Sequence, residues 1–463
     1  MDKKLIIHEA DNVFINLEDG HKYARRDIAE GENIIKYGFP IGHATSPIKA
    51  GEHVHSHNVK TNLSDISEYT YGYVDHGVSI GRSDRTFMGY PRKNGEVGIR
   101  NDIWVINTVG CINKTAETVA RLGGAKHFPH PFGCSQLGGD AETTMKVLAG
   151  LVNHPNAGGV LVLGLGCENN NIEVFKPYLG DYDTERVRFL ACQESEDEIA
   201  DALAIIDELK AICEKDERVP VPISKLKIGL KCGGSDGYSG ITANPLAGFL
   251  CNRMVGFGAS CVLTEVPEMF GAETLLMERC VSEDIFDKTV AMVNNYKKYF
   301  IAHNQPIYEN PSPGNKKGGI TTLEEKSLGC VQKGGLADVT DVLDYGGRIT
   351  KSGLSLMNGP GNDLVAVTNL SSVGCHVILF TTGRGTPFGG PVPTVKISTN
   401  SALAEKKKGW IDFDAGRLIS GTSAESLTDE LIEYVIRIAE GEKTLNERNG
   451  FEEISIFKDG VTL

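Results

Sequence analysis

From Asn101 to the C-terminus, short apolar runs alternate with stretches of helical period, and this alternation limits the architecture more than any other feature. DIWVINTVG, GGVLVLGLG and RVRFLAC have the length and β-branched content of strands, whereas NKTAETVARL and EDEIADALAIIDELKAICEK space apolar residues three and four apart, as on one face of a helix. Strands that alternate with helices are joined by crossovers, which build a parallel sheet flanked by helices. ERVPVPISK, residues 217–225, interrupts the rhythm with two prolines. LKIGLKCGG, ASCVLTEV and HVILFTTG then resume it as strands, and DIFDKTVAMVNNYKKYFIAH and ESLTDELIEYVIRIAE as helices. TTLEEKSLG sets Thr322 and Glu325 at the spacing of a capping box.

Before Tyr71 the pattern differs. LIIH, VFINL, NIIKYG and HVHSHN are short β-like runs separated by turn-forming glycine and proline. From Tyr71 to Arg100 the chain is rich in Gly, Asp and Arg and reads as a linker. The expected fold is therefore α/β: a small β-rich module over residues 1–72, a linker over 73–100, a second α/β domain over 101–222 and a C-terminal α/β domain over 223–463, with mostly parallel sheets.

A chain of 463 residues that is 40% hydrophobic and 23% charged belongs with soluble globular proteins, not with disordered or fibrous ones. The net charge of −14 argues against nucleic acid or an anionic membrane as partner, since both reward clustered Lys and Arg. An anionic small substrate would then need a local positive feature or a bound cation. Eleven scattered cysteines do not form the pattern of a secreted disulfide framework. MDKKLIIHEADN lacks the apolar core of a signal peptide and no segment has membrane-spanning length, so a cytoplasmic location is expected. Assembly into a homo-oligomer is left open.

GEHVHSHN puts His53, His55 and His57 on alternate positions, which in a strand share one face. Neutral imidazoles so placed suit zinc, iron, nickel or copper; the competing reading is a solvated strand face. Further ligands would have to come from elsewhere. Cys167 and Glu168 stand just beyond the GGVLVLGLG strand, at the strand end where α/β sheets bind ligands. Cysteine also follows glycine at Cys111, Cys134, Cys330 and Cys375. Buried free cysteine is commonly a small hydrophobe, and most of the eleven are read so. Cys111, Cys134 and Cys167 additionally raise an iron–sulfur reading.

KCGGSDGYSGITANP follows a strand and offers Ser235, Asp236, Ser239, Thr242 and Asn244 to a polyhydroxylated ligand. TEVPEMFGAE supplies Glu265, Glu268 and Glu273, one of which is expected to ligate or to transfer a proton. TTGRGTPFGG has one residue too many for a dinucleotide fingerprint, and Pro391 and Pro393 deny it the following helix, so no nucleotide is expected there. Arg384 is better read as a clamp for a carboxylate, with Lys396 and Asn400 nearby in sequence.

Together with IKYGFPIGHA, GCSQLGGD, LGLGCENN, QPIYENPSPGNKKGGITTLEEKSLGC, PTVKISTNS and WIDFDAGRLI, these motifs resemble the altronate/galactarate dehydratase family from about residue 27 to the C-terminus. The chain looks shorter than that pattern before Gly20 and between Leu122 and His127. The resemblance implies a β-clip-like, SAF-type first module and two α/β domains. It also implies conversion of D-altronate to 2-dehydro-3-deoxy-D-gluconate and water, with ferrous iron, replaceable by manganese, as cofactor. On that reading His55 and His57 lead as metal ligands, with His53 in reserve, and Cys167 or Glu168 completes the sphere where the first module folds over the main body. Arg384 would hold the substrate carboxylate, and the Ser235 to Asn244 loop, Asp236 included, its hydroxyls. Glu268, Lys396 and His130 stay open as the general base. The rival readings are a dehydratase or lyase of a related acid such as galactarate or sulfolactate, an iron–sulfur dehydratase, and a non-catalytic sugar-acid sensor.

Overall fold

The structure is a computed structural model and describes residues 4–64 and 66–463. Met1 to Lys3 and Asp65, which belong to the expected first module, lie outside the described residues. The C-terminal domain is built on a parallel sheet of seven strands: β1 (Lys227–Cys232), β2 (Ser260–Leu263), β3 (Val339–Leu343), β4 (Gly353–Met357), β5 (Val377–Thr382), β6 (Thr394–Ser398) and β7 (Phe413–Asp414). Their order is β3-β4-β2-β1-β5-β6-β7. The chain leaves β1 for β2 on one side and later returns to β5 on the other, the switch that opens a crevice at the carboxyl ends of an α/β sheet. Every residue of β1, β2, β4, β5 and β6 is buried, as expected for a parallel sheet covered on both faces.

The second domain carries four parallel strands in the order Lys126–His127, Asp102–Asn107, Ala157–Gly164, Val187–Ala191. It shares a core with its neighbour, because Trp104, Val147 and Leu148 pack in one cluster with Ile378 and Phe380 of β5. Ile454 and Ile456 of the C-terminal tail complete that cluster. The tail then pins itself to the second domain, where Asp140 accepts the backbone N–H of Asp459 and Gly460 at 2.8 and 2.7 Å.

The expected strands and helices after Asn101 form, from Asn113–Gly123 to Ala424–Ala439. The linker reading needs correction. Thr86–Pro91 is a strand, paired with Val97–Gly98 and antiparallel to Val219–Pro222, the proline-rich segment expected as a boundary. Those prolines are tolerated because their strand lies at the edge of the small sheet. Phe87, Val97, Ile99 and Val221 join the main core.

The first module forms two three-stranded antiparallel sheets, and its Val13, Ile34, Ile41 and Val54 are packed into the core of the C-terminal domain. A buried ion pair fixes its seat: Glu325 takes Lys22 Nζ and Lys36 Nζ, one on each carboxylate oxygen, both at 2.8 Å. Gly20 lies against Gly237, where a Cβ would come within 1.9 Å of the Gly20 carbonyl oxygen, so the approach requires glycine. The capping box expected at Thr322 forms by half. Thr322 accepts the Glu325 N–H at 3.4 Å, but the Glu325 carboxylate is drawn to the two lysines and to the Thr321 N–H.

The strand expected over His53 to His57 is also corrected. His53 makes an isolated bridge to Tyr23, the chain then turns, and the strand resumes at Val59–Lys60. Asn58 causes the turn, since its side chain accepts the His55 N–H at 2.9 Å and donates to His53 O at 3.0 Å. The rings still gather, with His53 centred 5.3 Å from His55 and 5.7 Å from His57. His21, from the hairpin opposite, brings Nδ1 to 3.0 Å from His53 Nε2.

Candidate active site

At the carboxyl ends of β1 and β2, side chains of opposite charge crowd a buried floor. β1 delivers Lys231 and Cys232. Beyond β2 the backbone passes through Glu265 at φ 74°, a left-handed conformation costly for a residue with a side chain, and one turn later presents Glu268. The helix Leu323–Cys330 and the turn after it bring Lys326, Cys330 and Lys333 across the top.

Cys330 Sγ lies 3.1 Å from Glu268 Oε2 and 3.3 Å from Cys232 Sγ, and Cys232 Sγ lies 3.5 Å from the same carboxylate oxygen. Cys232, Glu268 and Cys330 form the one group of His, Cys, Asp or Glu among the described residues whose donor atoms, all within 4.8 Å of one another, are spaced to hold a metal ion. Three ammonium groups surround it. Lys333 Nζ is 3.1 Å from both Cys232 Sγ and Glu265 Oε2, Lys326 Nζ is 2.9 Å from Glu268 Oε1, and Lys231 Nζ is 2.5 Å from Glu265 Oε1 and 3.0 Å from Asp363 Oδ1.

Burial pushes the Glu268 carboxyl up, but Lys326, Lys231 and Lys333 outweigh it and hold the group at about 2. The hydrogen bond between the two thiols holds Cys232 below its ordinary value and Cys330 well above it, so Cys232 is the readier thiolate. Burial opposes the Lys326 charge, yet Glu268 and the two cysteines raise it overall. The floor opens into a cavity of about 1080 Å³ lined by Cys232, Glu268, Asn310, Asn315, Lys326 and Asp363 among others. Lys326 also donates to Asn310 Oδ1 at 3.0 Å and Asn315 Oδ1 at 3.2 Å, which fixes its ammonium at the cavity wall.

Residues 223–462 match the family described as D-galactarate/altronate dehydratase, C-terminal. Residues 89–214 match its D-galactarate dehydratase/altronate hydrolase second domain, and residues 15–62 its SAF domain. The chain belongs to the D-galactarate/altronate dehydratase family. Its similarity to two altronate dehydratases makes it a hydro-lyase. The chain is similar to the altronate dehydratase of Escherichia coli (strain K12), 54% identical over 96% of this chain and 92% of that protein. It is 49% identical to the altronate dehydratase of Bacillus subtilis (strain 168) over 99% of both chains. It is 29% identical to the galactarate dehydratase (L-threo-forming) of Escherichia coli (strain K12) over 94% of this chain and 92% of that protein.

Within this dehydratase fold the site residues expected from sequence scatter. Glu268 is on the cavity floor. Half-buried His55, whose Nε2 meets Lys316 O at 2.8 Å, and exposed His57 belong to the histidine cluster on the first module. Cys167 is exposed on the second domain. Glu168 is buried there with its carboxylate committed to Thr108 Oγ1 at 2.6 Å and to the N–H groups of Leu165 and Gly166 at 3.0 and 2.6 Å. Among the described residues no hydrogen bond or ring contact joins this pair to the histidines.

Asp236 is buried, accepting from Thr399, Ser239 and Asn400. Burial pushes its carboxyl up to about 6, with those hydrogen bonds opposing. Asn244 is committed to Gly329 O and Thr381 Oγ1. Ser235 Oγ is buried without a partner, and Arg384 is exposed just beyond β5, its backbone beside Gly234 of the cavity lining. Lys396 lies within β6, where burial lowers it to about 8, and does not line the cavity. His130 does not line it either, and both its ring nitrogens are used, on Asn107 O and the Phe132 N–H. Sequence reasoning passed over Cys232, Lys231, Lys326 and Lys333, although KCGG quoted the first at a strand end.

Proposed function

We propose that the chain dehydrates D-altronate to 2-dehydro-3-deoxy-D-gluconate and water, at the cavity floored by Cys232, Glu268 and Cys330. The observation that carries this reading is the convergence of those three donors beneath a cavity large enough for a six-carbon acid. The identities of 54% and 49% to two altronate dehydratases, against 29% to a galactarate dehydratase, favour altronate.

Two sulfurs and one carboxylate suit iron better than manganese, which prefers oxygen ligands, so the cofactor proposed is ferrous iron held by Cys232, Glu268 and Cys330. When bound, the ion supplies Lewis-acid stabilisation of negative charge on the substrate oxygens. The reaction breaks the C2–H and C3–O bonds, releases the 3-hydroxyl as water and leaves an enol that becomes the 2-oxo acid. Lys326, fixed by Asn310 and Asn315, binds and orients the anionic substrate. Glu268 at about 2 is a weak base, so its part is to ligate and to hold Lys326 in place.

The test is turnover on D-altronate and galactarate by protein stripped with chelator and reloaded with ferrous iron, manganese or nothing, followed by 2-oxo acid formation. Iron is expected to restore activity on altronate best, and Cys232→Ser to lose the iron not matched by labile sulfide in elemental analysis and to lose roughly 100-fold or more in turnover. Full activity in the stripped enzyme, or Cys232→Ser that still holds iron in excess of its labile sulfide, would refute the assignment.

A further inference from the structure

Away from the cavity, each strand of the second domain runs on into a cysteine: Asp102–Asn107 to Cys111, Lys126–His127 to Cys134, Ala157–Gly164 to Cys167 and Val187–Ala191 to Cys192. The carboxyl edge of a parallel sheet is where such domains bind ligands. The loops that carry the cysteines are tied together. Gly110 N–H donates to Phe132 O at 2.8 Å, Asn170 N–H to Gly133 O at 3.0 Å and Gln193 N–H to Leu165 O at 2.9 Å, while Ser135 N–H donates to Asn169 Oδ1 at 2.9 Å. Gly133, at φ 102°, sits so close to the first loop that a Cβ would lie 1.9 Å from Thr108 O.

Cys111, Cys134 and Cys167 are free and exposed on these loops. Cys192 differs: it is half-buried against the helix core of the domain, and burial pushes its thiol up to about 11. Among the same loops are two buried polar atoms with no partner, Gln136 Nε2 and Asn170 Oδ1, on side chains 5% and 4% exposed. A buried N–H donor facing no protein acceptor suits the sulfur of a bound group.

We propose that Cys111, Cys134 and Cys167 form a three-thiolate site for an iron–sulfur cluster, with one iron left free of protein ligands. A single tetrahedral ion with metal–sulfur bonds of about 2.3 Å would need its sulfurs less than about 4 Å apart. Among the described residues these thiols do not form a group within 4.8 Å. A cluster instead binds each cysteine to a separate iron and so spreads them. The site is distinct from Cys232, Glu268 and Cys330 and does not rest on the function proposed for them.

The experiment uses the full chain, purified without oxygen and incubated with ferric iron, excess dithiothreitol and inorganic sulfide, the ferric iron supplying the oxidising equivalents of a mixed-valence cluster. Acid-labile sulfide, visible sulfur-to-iron absorption and electron paramagnetic resonance after reduction are then recorded. Wild type and Cys232→Ser are expected to take up stoichiometric labile sulfide, and so is Cys192→Ser. The combined variant Cys111→Ser, Cys134→Ser, Cys167→Ser is expected to take up none while keeping its far-ultraviolet circular dichroism. Each single variant is expected to lose labile sulfide several-fold, which keeps the test open should the combined variant misfold. Wild type without labile sulfide, or any of the three single variants with the wild-type amount, overturns the proposal.

Discussion

Glu268 holds a negative charge where almost no water reaches it, and it does so because Lys326 is 2.9 Å away and Lys231 and Lys333 lie close behind. Removing one member of a buried charge set leaves the others uncompensated, at a cost of about 3 to 5 kcal/mol. Glu268→Gln is therefore expected to lower unfolding free energy by about that much in denaturant titration, and to lose the iron not matched by labile sulfide as well. Lys396→Met, which removes a buried amine remote from the cavity lining, is expected to leave the KM for altronate unchanged in steady-state assays. At this scale the sequence was partly legible. Glu268 and Cys330 stood in motifs that could be quoted, because strand-end loops rich in glycine are visible as text. That Cys232 would meet Cys330 across 98 positions was not, since the pairing depends on where a helix crosses the sheet.

The helix Leu323–Cys330 is the element on which the first module rests. Burial pushes the Glu325 carboxyl up, but Lys22 and Lys36 outweigh it and hold it at about 2, below its ordinary value of 4.5. A depressed carboxyl contributes its full stabilisation above about 4.5 and loses it as pH falls toward 2. The loss is on the order of 3 kcal/mol across that window. Limited proteolysis across acid pH is expected to release the first module before the α/β body unfolds, and Glu325→Gln to release it already at neutral pH. Burial and the charge of Lys36 meanwhile lower Lys22 to about 8 despite Glu325, because one carboxylate serves two ammonium groups. Most elements could be read from periodicity alone. The turn at His55 to Asn58 could not, because alternation of histidines looks like a strand until Asn58 takes the backbone hydrogen bonds for itself. Nor could the strand Thr86–Pro91, since one of its two partners, Val219–Pro222, lies more than a hundred residues further on.

For the molecule as a whole, the tail from Glu453 onward closes the seam between the two α/β domains. Ile454 and Ile456 are 7% and 3% exposed, and Phe457 lines the cavity. Burial of two such side chains contributes roughly 3 to 6 kcal/mol. Deleting residues 453–463 is expected to lower unfolding free energy by about that amount and to raise the KM for altronate, measured by thermal denaturation and steady-state kinetics. An unchanged KM would show that the cavity does not depend on its far wall.

Glu325 and Lys326 are consecutive residues, yet one faces the small β module and the other the donor set, with Cys330 a turn further along. A rigid rod gripped at one end transmits any tilt to the other. Whatever rocks the first module, whether acid, a neighbouring molecule or an engineered strap, should thus retune the donor spacing with no direct touch upon it.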